Sequence, residues 1–353
     1  MTILLRAALL ALLLPVLTLP AWADSRLGSG DWPTGDALNA IEALPVRFPS
    51  SSPFTPRDIG TDSTAPTEAI GHLFLPPEGV RASGAKHPAV VLIHGAGGVQ
   101  PAREMTYGRQ FAAMGIVALV VDSFAARRDL ATGFTQRLLE ITETMLVADL
   151  YAGMDFLAER PEVDEKRIAL VGFSYGGMAA TFALNEGIAE ALATKGRRFA
   201  GHVSFYGPCI ARFAQPRTTG APYLMLYGTE DALIDPVRCA QTVETLKANG
   251  SKANLIAYDG AYHQWDGGWG GPRKVSRNLV ACAFNVSETG LVRDDNTWIP
   301  MLGAISRRLI LASCVDESGY LIGADSAVRA KSNREVGRFL MDIFGFAPTG
   351  QAG

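Results

Sequence analysis

Ser174 is the residue of this sequence whose surroundings most clearly point to chemistry. It lies in the pentapeptide GFSYG, residues 172–176, directly after the apolar run 167–171 and before a run, 177–184, that predicts a helix. A serine held in a sharp turn between a buried strand and a helix exposes its hydroxyl at the edge of a sheet. We therefore expect Ser174 to be a nucleophile that attacks a carbonyl carbon.

His263 is the histidine best placed to act as general base for Ser174. A serine hydroxyl is a weak nucleophile until a neighbouring base takes its proton. When the serine lies at a strand-to-helix turn, the acid and then the histidine follow it in the chain. Of the five histidines, His263 is the one that follows Ser174 with a strand-end carboxylate between them. His202 precedes those carboxylates within an apolar run, which favours a packed core position.

Asp231 is the expected acid of the site. It follows the predicted strand 223–227, and an acid at a strand end can hold the histidine tautomer and stabilise its charged form. Asp235 is the alternative, although its position beside Pro236 also suits an N-cap or a turn. Glu230 is expected to face solvent.

A glycine-rich loop, HGAGG at residues 94–98, follows the apolar run 89–93. Small residues let backbone N–H groups approach the oxyanion that forms when a serine attacks a carbonyl. The expected donors are the amide of Tyr175, next to the nucleophile, and an amide of this loop, for which we choose Ala96. The glycines also suit an ordinary strand-to-helix turn. We expect His94 to close the loop by hydrogen bonding and not to act as a second base.

Apolar runs and helical patterns alternate along the chain from residue 89 onwards. Buried parallel strands are continuous apolar runs, as 89–93 and 167–171 are. This alternation predicts an α/β fold, with a mostly parallel, doubly wound sheet and helices on both of its faces. The active groups of such a sheet lie at the carboxyl ends of its strands, which is where the candidate residues fall.

The chain is expected to form one large domain, residues 61–353, after a polar N-terminal arm at 24–60. A single helix is predicted over 138–159. Residues 267–330 do not continue the alternation, and we expect this extension to be a pocket wall, a dimer contact or a stabilising flap. A closing helix is predicted at 331–346.

The order of five short motifs carries a family resemblance. HGAGG, VDSF, GFSYGG, YGTED and AYH occur in this order within about residues 65–265, and this part of the sequence resembles the dienelactone hydrolase family of α/β-hydrolases. That family proper has a cysteine at the elbow, where this chain has Ser174. The resemblance implies hydrolysis of a small-molecule ester or lactone, with Ser174, Asp231 and His263 as a catalytic triad. It does not imply dienelactone as the substrate, and we predict no cofactor.

The N-terminus predicts export. Arg6 is followed by an apolar stretch over 7–19 and by Ala21-Trp22-Ala23 in A-x-A form, which is the pattern of a secretory signal peptide at residues 1–23. The stretch is too short to cross a bilayer and Pro15 interrupts it; an uncleaved anchor is the alternative. We expect a periplasmic or extracellular protein.

The four cysteines are expected to be oxidised in an exported protein. Three pairings are open, and we favour Cys209–Cys239 and Cys282–Cys314. Cys209 follows one predicted strand and Cys239 opens the helix after the next strand, so both suit one rim of the sheet. The other two belong to the extension. No C-x-x-C spacing occurs and no histidine lies close by in sequence, so a metal site is not expected.

Charge and loop lengths restrict the substrate class. A net charge of −3 gives no reason to expect nucleic acid or an anionic membrane as partner. The link between the predicted strands ending near Tyr206 and beginning at Tyr223 is too short for a helical lid, so we expect an exposed site. The loop over 123–136 is a candidate for covering part of its mouth. Arg127 and Arg128 are expected to be solvated on this loop, and attraction of anionic substrates is the alternative. Four aromatic residues are candidates for either pocket lining or core packing: Tyr175, Tyr262, Trp265 and Trp269.

Three functions remain open at this point. The leading one is a secreted serine carboxylesterase. A peptidase or an acyltransferase would use the same triad, although peptidases of this fold usually carry a large extra domain. A non-catalytic exported binding protein is the third, because fold does not fix function. The sequence does not predict an oligomeric state.

Overall fold

The computed structural model of the chain describes residues 26–80 and 86–346. The predicted signal peptide, residues 1–23, lies outside these ranges. The strands are β1 Leu44–Ser52, β2 Ala65–Phe74, β3 His87–Ile93, β4 Val117–Val121, β5 Val163–Phe173, β6 Gly201–Phe205, β7 Ala211–Phe213, β8 Tyr223–Gly228, β9 Ala253–Tyr258, β10 Arg273–Val275, β11 Phe284–Val286, β12 Val292–Asp294 and β13 Tyr320–Ile322. The helices are α1 Asp36–Asn39, α2 Thr106–Ala113, α3 Phe134–Glu140, α4 Glu143–Ala158, α5 Tyr175–Phe182, α6 Glu186–Leu192, α7 Pro236–Ala248, α8 Ala304–Cys314 and α9 Ser326–Phe344.

Eight of the strands form one sheet in the order β1-β2-β4-β3-β5-β6-β8-β9. β2 pairs antiparallel with both β1 and β4, and every other neighbouring pair is parallel. The prediction of an α/β fold with a mostly parallel sheet is confirmed. Because the parallel strands all run the same way, the loops after β3, β5, β8 and β9 meet at one edge of the sheet.

Two hydrophobic clusters cover the two faces of this sheet. Alternate residues of β3 point to opposite faces, so Val91 and Ile93 belong to one cluster and Val90 and Leu92 to the other. Residues of α4 complete the first cluster, and residues of α9 complete the second. With both faces covered, β3 and β4 are buried along their whole length, and the strand ends are left to carry polar chemistry.

The N-terminal part of the described chain belongs to the same sheet. β1 lies inside the segment predicted as an arm, yet it pairs with β2 over its full length. The predicted boundary after residue 60 therefore falls between the two strands of one hairpin.

Two helix predictions need correction. The single helix predicted over 138–159 is wrong, because the chain there forms α3 and α4 with a break between them. At the break, the side chain of Thr142 accepts a hydrogen bond from the amide of Met145 and caps α4. The closing helix α9 begins before the predicted residue 331, since Asp325 caps it by accepting hydrogen bonds from two backbone amides.

Within the described ranges, no helix has the length and apolarity needed to cross a membrane.

The extension, residues 267–330, is built from short pieces fastened to the main domain. β10 pairs with β13, while β11 pairs with β12 and with β7. The disulfide Cys282–Cys314 ties the segment before β11 to the end of α8, and Cys209–Cys239 ties the segment after β6 to α7. These are the two pairs expected from the sequence.

Arg127 does not lie on a solvated loop, contrary to expectation. Its guanidinium is buried and forms a two-point ion pair with Asp149 of α4, with Nη1–Oδ2 at 2.6 Å and Nη2–Oδ1 at 3.0 Å. Arg128, the next residue, is exposed. Arg127 is the arginine that turns inward because the carboxylate of Asp149 pairs with its buried charge.

Candidate active site

Ser174 occupies a strained turn between β5 and α5. Its φ is 53°, a left-handed value that non-glycine residues rarely adopt and that is found at functional sites. Glycines permit the turn: a Cβ on Gly172 would lie 2.0 Å from the carbonyl oxygen of Gly176, and a Cβ on Gly176 would lie 2.6 Å from that of His94. The turn therefore brings the serine hydroxyl against the loop that follows β3.

His263 bridges Ser174 and Asp231. Its Nδ1 lies 2.6 Å from Asp231 Oδ2, and its Nε2 lies 2.9 Å from Ser174 Oγ. An ionised carboxylate can only accept a hydrogen bond. Nδ1 therefore carries a hydrogen and donates a hydrogen bond to Asp231, without giving up the proton. Nε2 then has a free lone pair and accepts the hydroxyl proton of Ser174. This arrangement can move a proton from the serine oxygen to the imidazole.

The extension holds His263 in place. The His263 amide donates to the carbonyl of Leu321 at 3.1 Å, and the amide of Gly323 donates to the His263 carbonyl at 3.1 Å. The imidazole packs against two tyrosine rings, with centroid distances of 4.5 Å to Tyr206 and 5.0 Å to Tyr320. These two ring contacts restrict its rotation. No pattern in the sequence indicated this role of residues 320–323.

Asp231 and Asp235 have different surroundings. Besides its contact with His263, Asp231 accepts a hydrogen bond from the amide of Leu233 at 3.0 Å. Asp235 instead caps α7, accepting from the amides of Val237 and Arg238 at 3.0 and 3.1 Å. These capping bonds, with the Arg238 ion pair, lower the pKa of Asp235. Asp235, the alternative acid, therefore serves as the N-cap of α7, and the structure does not place it at His263.

The two amides expected to bind an oxyanion flank Ser174. Ala96, Tyr175 and Ser174 all line one cavity, and a Cβ on Gly95 would lie 3.1 Å from the Cβ of Ser174. Among residues 26–80 and 86–346, neither the Ala96 nor the Tyr175 amide has a hydrogen-bond acceptor. Nδ1–H of His94 donates to the carbonyl of Gly95 at 2.8 Å, which fixes the loop from within. Two free amides beside a serine hydroxyl suit a developing negative charge.

The side chain of Tyr175 joins a buried polar group that the sequence did not reveal. Its hydroxyl donates to the carbonyl of Ile141 at 2.9 Å and accepts from Arg307 Nη2 at 3.2 Å. Arg307 Nη2 also lies 2.9 Å from Glu143 Oε2. Burial, together with the Glu143 charge, raises the pKa of Tyr175 well above its usual value although Arg307 opposes the shift. The tyrosine hydroxyl therefore stays protonated, and its hydrogen bonds hold the side chain in one position.

The candidate site is covered, although the short link after β6 predicted an exposed one. Ser174 is 4% exposed and His263 is 0% exposed. The extension contributes residues of α8 and β13 to the cavity at Ser174, among them Leu311 and Tyr320, and the link after β6 contributes Pro208 and Ile210. Of the four candidate aromatic residues, Tyr175 lines the cavity; Trp265 is packed in the core, where its Nε1 donates to Ser332.

A metal site is not found within the described parts of the chain. No cluster of three or more histidine, cysteine or carboxylate side chains there is arranged to hold an ion.

Comparisons with known proteins support the assignment of the fold and the family. The sequence model of the Dienelactone hydrolase family matches residues 77–266, a range that contains Ser174, Asp231 and His263. A solved structure of Thermogutta terrifontis esterase 2, phosphoramylated by tabun, shares the fold, with a TM-score of 0.51 and 15% identity over 80% of this chain and 92% of that one.

A dienelactone hydrolase-like promiscuous phosphotriesterase from metagenomic libraries has a TM-score of 0.44 and 19% identity, over 63% of this chain and 84% of that one. No curated protein sequence matches the chain significantly.

The family match spans more than half of the chain and the architecture agrees with it, so the chain belongs to the dienelactone hydrolase family and is a carboxylic ester hydrolase of the α/β-hydrolase fold.

Proposed function

We propose that the protein hydrolyses carboxylic esters or lactones through an acyl-enzyme formed on Ser174. The observation that carries this proposal is the unbroken chain of hydrogen bonds from Ser174 Oγ through His263 to Asp231. It lies at the carboxyl edge of the sheet, beside two amides that have no acceptor among the described residues. These are the parts that acyl transfer to a serine needs.

In the first half of the reaction, His263 Nε2 takes the proton of Ser174 as Oγ attacks the ester carbonyl carbon. The carbonyl oxygen becomes an oxyanion, and the amides of Ala96 and Tyr175 donate hydrogen bonds to it. Asp231 stabilises the imidazolium through Nδ1–H. The imidazolium then gives its proton to the leaving alcohol oxygen, the carbonyl re-forms, and the acyl group stays on Ser174.

In the second half, water replaces the alcohol. His263 takes a proton from the water as its oxygen attacks the acyl carbon, and the same two amides stabilise the second oxyanion. The imidazolium returns the proton to Ser174 Oγ, and the carboxylic acid is released. For a lactone, the alcohol and the acid remain parts of one product molecule.

We also propose that the protein works outside the reducing cytoplasm, in the periplasm or the extracellular space. The two disulfides, Cys209–Cys239 and Cys282–Cys314, favour an oxidising compartment. The signal-peptide pattern at residues 1–23 agrees with this location.

The test is hydrolysis of p-nitrophenyl acetate, followed by release of p-nitrophenolate, for the wild type and for Ser174→Ala. A serine-directed phosphonate, located by peptide mass spectrometry, reports the nucleophile independently. We expect kcat to fall by about a million-fold in the variant, as it does when a triad serine is removed elsewhere. The adduct is expected on Ser174.

Ser123→Ala is the matched control. Ser123 is also buried and follows β4 at the same edge of the sheet, but its hydroxyl has no hydrogen-bond partner among the described residues. This variant is expected to keep both turnover and labelling. A folded wild type without turnover and without an adduct on Ser174 would refute the proposed function and leave a binding protein in its place.

A further inference from the structure

The cavity at Ser174 is large and mostly apolar. It has a volume of about 510 Å³, and Ser174, Ala96 and Tyr175 line it. We call this cavity the acyl chamber. Cavities of this size bind whole drug-sized molecules. An acetyl group has only three non-hydrogen atoms and fills the space of about two water molecules, at about 30 Å³ each. An acetyl ester would leave most of the chamber to water.

Residues of the extension form part of the lining of the acyl chamber, which we call its extension wall. This wall is contributed by residues beyond the part of the chain that matches the family model, which ends at residue 266. Six of its members are apolar or aromatic and four are charged: Leu279, Phe284, Leu311, Ala312, Val315 and Tyr320, with Arg277, Arg307, Arg308 and Glu317. The main domain contributes further apolar lining, including Leu138, Leu139, Met178 and Ile210. A substituent that enters the chamber leaves water and contacts mostly carbon.

The extension wall is fixed to the main domain at several points. Arg307, on the buried side of α8, donates to the carbonyl of Leu138 at 2.8 Å and pairs with Glu143. The disulfide Cys282–Cys314 joins the two lining segments of the extension to each other. A wall held by an ion pair and a covalent bond is preformed, so the chamber is open before a substrate arrives and little ordering accompanies binding.

We propose that the acyl chamber selects esters that carry one large apolar substituent, and that the extension sets the size limit. This inference rests on the proposed function of Ser174. Burying a methylene group contributes about 0.8 kcal/mol, which is about fourfold in kcat/KM. Each added methylene should therefore raise kcat/KM by up to about fourfold until the chamber is filled, after which the increase stops.

Two homologous ester series test the proposal and identify the part of the ester that occupies the chamber. In the first, the acyl chain of p-nitrophenyl esters grows from acetate to dodecanoate. In the second, the alcohol chain of alkyl acetates grows while the acyl group stays the same. Each ester is used below its solubility limit, so that aggregates do not contribute. A rise of kcat/KM in one series supports the proposal and assigns the chamber to that part.

Ala312→Trp is the variant that tests the role of the extension. Ala312 lines the chamber from α8 and is itself exposed, so a larger ring can be added there without opening the core. The ratio of kcat/KM for the longest preferred ester over that for the acetate ester is expected to fall at least about tenfold, because the ring takes the space of several methylenes. Ser313→Trp, one residue along α8 and outside the lining, should leave this ratio at the wild-type value.

The outcomes separate the inference from the proposed function. If acetate esters are hydrolysed in a Ser174-dependent manner but kcat/KM does not rise in either series, the inference is overturned and the proposed function stands. An equal fall of the ratio in Ala312→Trp and Ser313→Trp also overturns it, because the effect would then be general to α8. If no ester of either series is hydrolysed, the proposed function fails and the inference fails with it.

Discussion

Arg307 and Glu143 form a buried two-point ion pair across 164 residues of sequence. Nη2–Oε2 measures 2.9 Å and Nη1–Oε1 measures 3.4 Å, and the two side chains are 3% and 1% exposed. Burial by itself lowers the pKa of Arg307, but Glu143 and Tyr175 outweigh it, so the pKa is raised overall and the guanidinium stays charged. This pair fastens the extension to the helix α4 of the main domain.

Removing one partner of this pair should be far more costly than removing both. Arg307→Met leaves the carboxylate of Glu143 buried without its counter-charge, and such a loss typically lowers the free energy of unfolding by about 3–5 kcal/mol. Urea unfolding at neutral pH, compared with the wild type, measures the effect.

The double variant Arg307→Met with Glu143→Gln is the control for this prediction. It removes both charges, so we expect it to recover a large part of the lost stability. If the single and double variants are equally destabilised, the cost comes from lost packing around α8 and not from the unpaired charge.

Asp231→Asn should lower kcat by about 10⁴-fold, as the same exchange does in other triads, with a much smaller effect on stability. An amide can donate to Nδ1 and so favours the tautomer whose Nε2 carries the proton and cannot accept from Ser174. Asp235→Ala provides the comparison. Asp235 caps α7, so its loss should lower the free energy of unfolding by about 1 kcal/mol and leave kcat near the wild-type value. A large loss of kcat in Asp235→Ala, with little loss in Asp231→Asn, would reverse the assignment of the acid.

The sequence was sufficient to predict the sheet and the three side chains that meet at its edge. Strand ends of a parallel sheet converge on one side, and the order serine, acid, histidine leaves few assignments for Ser174, Asp231 and His263. Local chain geometry determines both facts, so single-sequence reasoning can reach them. The pairing Cys209–Cys239 followed from a similar argument about one rim of the sheet, and Cys282–Cys314 from the place of both residues in the extension.

The contacts that hold the extension against the site could not be predicted, because they depend on partners far apart in sequence. Arg307 and Arg308 are adjacent and chemically alike, yet Arg307 is buried against Glu143 and Arg308 is exposed. Arg127 and Arg128 pose the same problem, which Asp149 resolves. No local pattern distinguishes the inward residue in either case. The expectation of an exposed site rested on the short link after β6, whereas the alternative that residues 267–330 form a pocket wall agrees with the structure.

The two disulfides should contribute nearly equal stability. They join cysteines separated by 30 and 32 residues, and the loop-closure entropy of an unfolded chain at these lengths corresponds to roughly 3.5–4 kcal/mol each. We expect the paired alanine variants Cys209→Ala/Cys239→Ala and Cys282→Ala/Cys314→Ala to lose about this much free energy of unfolding in urea. A loss below about 1 kcal/mol for either pair would mean that the loop-closure account fails for it.

His202 should make the protein less stable as the pH falls below neutrality. Its imidazole is fully buried in β6, where Nδ1–H donates to the carbonyl of Ala180 at 3.0 Å, and Nε2 has no partner among the described residues. Burial lowers the pKa of His202 to about 4, against a smaller upward effect of the Ala180 hydrogen bond. An unfolded histidine titrates near 6.5, so between these values the unfolded chain binds a proton that the folded chain does not.

Stability linked to His202 is therefore complete above about pH 6.5 and is lost progressively as the pH falls to about 4, by about 3 kcal/mol in all. His202→Asn keeps an N–H donor for Ala180 and removes the titration. Because carboxylates also titrate in this range, the quantity to measure is the difference between the unfolding free energies of the variant and the wild type at several pH values. We expect this difference to be constant above pH 6.5 and to shift in favour of the variant below it. Parallel curves from neutral pH down to 4 would show that His202 is not buried in its neutral form.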